Sequence, residues 1–65
     1  MMPDEKRRIE SCMRTNGYQG HVIRFNKAPR GEYLYYVRWN DGKKYLVDVD
    51  RSKVNEMRED YVGED

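Results

Sequence analysis

The sequence predicts a mainly β domain: a small antiparallel barrel or a strongly curved sheet of three to five strands, preceded by a short helix. Three observations carry this expectation. Residues 33–39 read Tyr-Leu-Tyr-Tyr-Val-Arg-Trp, the aromatic and β-branched content of a pleated, half-buried surface. Asn40-Asp41-Gly42 follows at once as a hairpin turn. The chain has 65 residues, 37% hydrophobic and 38% charged, which suffices for one domain with a small core. The expected organisation is a helix over 3–15, a barrel or sheet over 17–58 and an acidic, flexible tail over 59–65.

The helix opens at Pro3, a residue suited to a first turn, with Asp4 and Glu5 at its positive end and Arg14 near its negative end. Ile9, Cys12 and Met13 fall at i, i+3 and i+4 and form one narrow apolar stripe. So short a helix is not stable alone in water, so it must dock on its own domain or on a partner. Asn16-Gly17 ends it. Residues 18–26 read as a strand, with Val22, Ile23 and Phe25 as its apolar content. Residues 27–32 form a loop punctuated by Pro29 and Gly31 and made basic by Lys27 and Arg30.

Two strands follow, and the turn between them decides which side chains share a face. A two-residue Asp41-Gly42 turn would pair Trp39 with Lys44. A three-residue loop with Gly42 left-handed pairs Trp39 with Lys43, Val37 with Tyr45, Tyr35 with Val47 and Tyr33 with Val49. The longer loop gathers Tyr33, Tyr35, Val37, Trp39, Tyr45, Val47 and Val49 on one face. It leaves Leu34, Tyr36, Arg38, Lys44, Leu46 and Asp48 on the other. Register follows the hydrophobic pattern, so the three-residue loop is preferred. Residues 51–61 admit two readings near the C-terminus. One is a single helical turn followed by a last strand over 55–58. The other is a helix capped by Ser52 with Val54, Met57 and Tyr61 on one side.

Residues 17–25, Gly-Tyr-Gln-Gly-His-Val-Ile-Arg-Phe, resemble the G-x-x-G-x-V-x-x-hydrophobic core of the KOW motif. The stretch 35–42, Tyr-Tyr-Val-Arg-Trp-Asn-Asp-Gly, is similar to the strand and turn of Tudor-type and other SH3-like barrels. The resemblance covers residues 17–57 and implies an SH3-like barrel, a fold used by ribosomal proteins and transcription elongation factors. The layout is also similar to that of the type II plasmid dihydrofolate reductase. There a Val-Gln-Ile-Tyr stretch lines the active pore, whereas residues 45–48 here read Tyr-Leu-Val-Asp, so that activity is not implied.

Composition bounds the chemistry further. One cysteine and one histidine give neither an internal disulfide nor a metal-ligand set. No Ser/His/Asp or Cys/His arrangement and no phosphate-cradling glycine loop is present, so no enzymatic activity and no cofactor is expected. His21 reads as a surface or packing residue, and Cys12 as a small buried hydrophobe. No apolar run reaches membrane-spanning length, and residues 1–10 are too charged for a signal-peptide core. A cytoplasmic protein without membrane contact is the expectation.

The net charge of +1 conceals a division. Residues 1–47 hold ten Lys/Arg against five acids, a charge of +5; residues 48–65 hold three against seven, a charge of −4. A basic body with an acidic tail suits a nucleic-acid binder whose tail limits nonspecific contacts, and the same charge also solubilises any small domain. The candidate binding residues are Arg24, Lys27, Arg30, Tyr36, Arg38, Lys43 and Lys44. Cations track a phosphate backbone, and an exposed aromatic among them stacks on bases or faces a methylated ammonium. Tyr33, Tyr35 and Trp39 are assigned to the core instead. The expected function is a noncatalytic binding module engaging nucleic acid or a nucleic-acid machine such as polymerase or ribosome. The alternative is a small protein-interaction adaptor or inhibitor, such as one carried by a phage or mobile element. That module would cover a partner with its helix stripe, hairpin and tail. A homo-oligomer is a third expectation, because small barrels often need extra burial.

Overall fold

A computed structural model of the chain describes residues 3–57. Helix α1 (Pro3–Thr15) is followed by β1 (Val22–Lys27), β2 (Leu34–Trp39), β3 (Lys44–Asp48) and β4 (Lys53–Met57). The strands form one antiparallel sheet in the order β1-β2-β3-β4, so each strand pairs with its sequence neighbours. The fold is therefore mainly β, a four-stranded meander with one helix against one face. Among the described residues no helix is long and apolar enough to cross a membrane.

The helix docks on its own domain. Ile9, Cys12 and Met13 are buried and join Val22, Tyr35, Val37, Trp39, Tyr45 and Val47 in one core. The stripe assigned above to a possible partner is thus consumed inside the molecule. After Thr15 the chain closes with Gly17 N–H on Arg14 O (2.9 Å) and Tyr18 N–H on Met13 O (3.0 Å), the bond pair that satisfies the last helical carbonyls. Polar contacts join the helical segment to the sheet and its turns. Val22 N–H donates to Glu10 Oε2 at 3.1 Å, the Tyr35 hydroxyl to Glu5 Oε2 at 2.9 Å, and Asn16 Nδ2 to Ser52 O at 3.1 Å.

Strands β2 and β3 adopt the register of the three-residue loop. Tyr35 lies opposite Val47 and Val37 opposite Tyr45. Trp39 N–H donates to Lys43 O and Gly42 N–H to Trp39 O, with Gly42 at φ 86°. That left-handed conformation is what lets a type I turn close a right-twisted hairpin. Asp41 locks the turn: Oδ1 accepts from Lys43 N–H at 2.9 Å and Oδ2 from the Tyr45 hydroxyl at 2.6 Å. Gly20 serves a close approach, because at φ 122° a Cβ there would collide with the Asn40 carboxamide. The same carboxamide accepts from His21 N–H, and Asn40 N–H returns to His21 O.

Three expectations need correction. Tyr33 is not a core residue; it is 44% exposed. Its carbonyl still accepts from Val49 N–H, but α1 covers the core face only as far as Tyr35, which touches the first helical turn through Glu5. Of the two readings open for residues 51–61, the helix is absent among the described residues and the turn followed by a strand is present, the strand beginning at Lys53 and not at Asn55. Residues 53–57 pair with β3, Val54 opposite Val47 and Met57 opposite Lys44. Ser52 at φ 57° is no helix cap; it sits in the tight turn that Ser52 N–H to Val49 O and Arg51 N–H to Asp48 Oδ1 close. The pairing supplies β3 with a neighbour, which a helix would not. Lastly, the first strand starts at Val22 and not near Tyr18. The expected flexible tail over 59–65 lies outside the described residues.

Candidate nucleic-acid interface

The face of the sheet opposite α1 carries ordered rows of side chains. Strand pairing puts Arg24 opposite Arg38, and Arg38 opposite Lys44, so three cations cross β1, β2 and β3 side by side. Met57 on β4 continues the row. The next row is Asn26, Tyr36, Leu46 and Asn55, and the one after it Leu34, Asp48 and Lys53. Neighbouring strands lie about 4.8 Å apart, so the cation row spans roughly 10 Å. Like charges directly opposite each other disfavour the sheet, and an anion laid across them relieves that cost.

Arg24 reaches this face because of a β-bulge. The register shifts between Val22 and Arg24, and Ile23 is the surplus residue, 56% exposed. Simple alternation from buried Val22 would turn Arg24 toward the helix. The bulge instead sends Arg24 outward and Phe25 inward, where its ring meets Tyr35 edge-on at 5.7 Å. Arg38 is half-buried and its guanidinium donates to Gly42 O at 2.7 Å, which aims it along the hairpin. Arg24, Tyr36, Arg38 and Lys44 all have interaction partners within the chain, so the row is a held arrangement of side chains.

Tyr36 stands where two depressions meet. A shallow cleft on the basic side is lined by Arg24, Asn26, Tyr36, Arg38 and Lys44. On the other side lies an apolar groove of about 310 Å³ lined by Ala28, Arg30, Leu34, Tyr36, Leu46 and Met57. Cations therefore flank an apolar strip at both ends, Arg30 at one and the three-strand row at the other. That arrangement accommodates a planar apolar group between two negative charges.

The seven residues named from sequence divide between the faces. Arg24, Tyr36, Arg38 and Lys44 come together on the outer face, and Arg30 reaches it from the β1–β2 loop. Lys27 pairs with Tyr35 and lies on the helix side of β1. Lys43 ends the hairpin loop and contacts Glu56 Oε2 at 3.7 Å, on the side of Tyr45. The loop over 28–33 and the hairpin end stand at opposite ends of β2, roughly 17 Å apart by strand rise. Sequence reading missed Met57 and Ala28 as groove residues. Period-two alternation over 53–57 is the signal that places Met57 outward.

Four groups of the core and hairpin have shifted titrations. Burial pushes the Tyr45 and Tyr35 hydroxyls up, reinforced by their bonds to Asp41 and Glu5. Burial also raises the Cys12 thiol, which keeps it protonated and unreactive. Burial alone would raise Asp41, but the bonds from Tyr45 and Lys43 outweigh it and hold its carboxyl below the usual value. The outer face offers positive charge and the ring of Tyr36.

The class so defined is a helix-backed antiparallel meander with a cationic, aromatic outer face. No protein-family model, curated protein or solved structure matches the chain.

Proposed function

We propose that the protein is a noncatalytic binding module that engages single-stranded nucleic acid through the outer face of its sheet. The observation that carries this reading is the in-register row Arg24–Arg38–Lys44 with Tyr36 beside it. Phosphates take the cations, and an unpaired base takes Tyr36 or the groove between Tyr36, Leu34 and Leu46. A base stacked on an aromatic contributes about 1–3 kcal/mol. A duplex hides its base faces and would engage the cations alone, so single strands are preferred. The KOW-like stretch 17–25 supports the same reading by resemblance to ribosomal and elongation-factor domains. The SH3-like assignment is part of this proposal. The adaptor reading loses its principal surface, since Ile9, Cys12 and Met13 are buried in the protein's own core.

The test is binding of a fluorescent single-stranded oligonucleotide, RNA and DNA, measured across a salt series. Three phosphate contacts predict that log K falls with log salt with a slope of about −2. No binding at low salt, or binding indifferent to salt, would reject the proposal.

A further inference from the structure

Bonding alternates along an antiparallel pair, so an edge strand keeps the N–H and C=O of every second residue for a further neighbour. Among the described residues, β1 and β4 are the two edges of the sheet. Ala28 N–H donates to Leu34 O at 2.8 Å, so the backbone groups of Asn26 and Arg24 also turn to β2. Those of Phe25 and Lys27 point out of the sheet. On the other side, Val49 N–H donates to Tyr33 O at 2.9 Å, so Val47 and Tyr45 serve β2 and Leu46 serves β4. Asn55, opposite Leu46, therefore bonds β3, and Val54 and Glu56 present their backbone groups at the edge.

These two edges are complementary to each other. The strands alternate in direction, so a second copy set beside the first, with its helix on the same side, runs its β1 antiparallel to β4. One register pairs Phe25 with the next copy's Glu56 and Lys27 with its Val54, and it satisfies all the outward groups of these residues. Neither stretch contains proline, and the bulge lies before Arg24, so residues 24–27 are regular. The same register continues the side-chain rows from copy to copy, with Asn26 beside Asn55 and Arg24 beside Met57. On the helix side it sets Lys27 diagonal to Glu56, within reach of long side chains. Lys27 is exposed, and the Glu56 side chain keeps 53% of its surface open even beside Lys43. Opposite charges thus meet where the two edges meet.

We propose that the protein associates head to tail with further copies of itself, β1 of one copy pairing with β4 of the next. The contact is heterologous, so each addition leaves an open edge and growth continues beyond a dimer. It consists of short backbone pairing and an exposed ion pair, so it is weak and set by protein concentration. The association does not depend on the function proposed above. If that function holds, successive copies add their outer faces to one continuous sheet.

The experiment uses the full chain without nucleic acid. Sedimentation from micromolar to millimolar concentration should give a weight-average mass that rises past that of a dimer. A monomer throughout, or a plateau at the dimer, would overturn the proposal. Amide hydrogen exchange followed by NMR locates the contact. Phe25, Lys27, Val54 and Glu56 should exchange more slowly in the concentrated sample, while Asn26 and Asn55, bonded within the sheet, change little. Protection that ignores concentration, or that rises at other positions instead, would also overturn it. Lys27→Glu and Glu56→Lys should each weaken association roughly threefold, and the double charge swap should restore it. A double variant as weak as the two single changes combined would overturn the register.

Discussion

At the scale of single residues, the Tyr45–Asp41 contact shows how a side chain fixes a turn. Tyr45 is 2% exposed, yet its hydroxyl reaches the hairpin and donates to Asp41 at 2.6 Å. Removing that bond by Tyr45→Phe should cost about 1 kcal/mol, since the ring stays packed and Asp41 remains at the surface in contact with water. A pH signature follows from the same contact. The folded state raises the Tyr45 hydroxyl above its ordinary 10.0. The stabilisation is therefore complete below pH 10 and is lost as the pH climbs from 10 toward the folded-state value. Thermal midpoints measured from neutral to strongly alkaline pH should fall more steeply for wild type than for Tyr45→Phe. Parallel curves would show that the bond contributes nothing that titrates. Asp41 carries the opposite sign: its contribution is present above its unfolded value and fades as acid protonates it.

At the scale of elements, some of the molecule was legible and some was not. The alternation of Tyr35, Val37 and Trp39 against Tyr45 and Val47 determines both the strands and the three-residue loop, because a slip of one would turn all five outward. Two decisions lay outside local sequence. Val54 and Met57 stand three apart, a spacing that serves a helix face and also the two faces of a strand; the open edge of β3 decides for the strand. The bulge at Ile23 inverts the faces of Arg24 and Phe25, and no residue pattern in 18–26 marks its position. For that reason the basic residues were legible as a set but not as a row.

The division of cations between faces gives a prediction at this scale. Arg38 sits in the middle of the row, whereas Lys43 is turned to the side of Glu56. If the outer face is the interface, Arg38→Ala should weaken oligonucleotide binding roughly tenfold at low salt, the loss of a charge-assisted contact. It should also reduce the salt slope by about 0.7. Lys43→Ala removes the same formal charge and should change both quantities little. Equal losses in the two variants would mean that net charge, and not the row, governs binding. Far-ultraviolet circular dichroism of both proteins guards against a folding defect in Arg38→Ala, whose guanidinium also holds Gly42 O.

At the scale of the whole molecule, the helix and the sheet share one core, which predicts that they unfold as one cooperative unit. A domain of this size buries only about 60% of its unfolded surface, so its stability is small and each core residue is a large share of it. Ile9 and Met13 are fully buried, and they lie among the same cluster as Trp39, Val37 and Val47. The sheet alone would expose that face to water, and the helix alone is too short to persist. Met13→Ala deletes most of a fully buried side chain, and cavity-forming changes of this kind cost about 2–5 kcal/mol. The loss should appear everywhere at once. Helical ellipticity and Trp39 fluorescence should shift to lower denaturant midpoints together, with coincident transitions. Trp39 reports the sheet side, being 1% exposed with its indole N–H on Gln19 O at 2.9 Å. A variant in which helical signal is lost while Trp39 stays buried would show that the meander stands without α1. The outer face would then owe nothing to the helix. Coincident loss would mean that the outer face exists only while α1 is docked behind it, so if that face is the interface proposed above, Met13→Ala should abolish oligonucleotide binding at the denaturant concentration where both signals disappear.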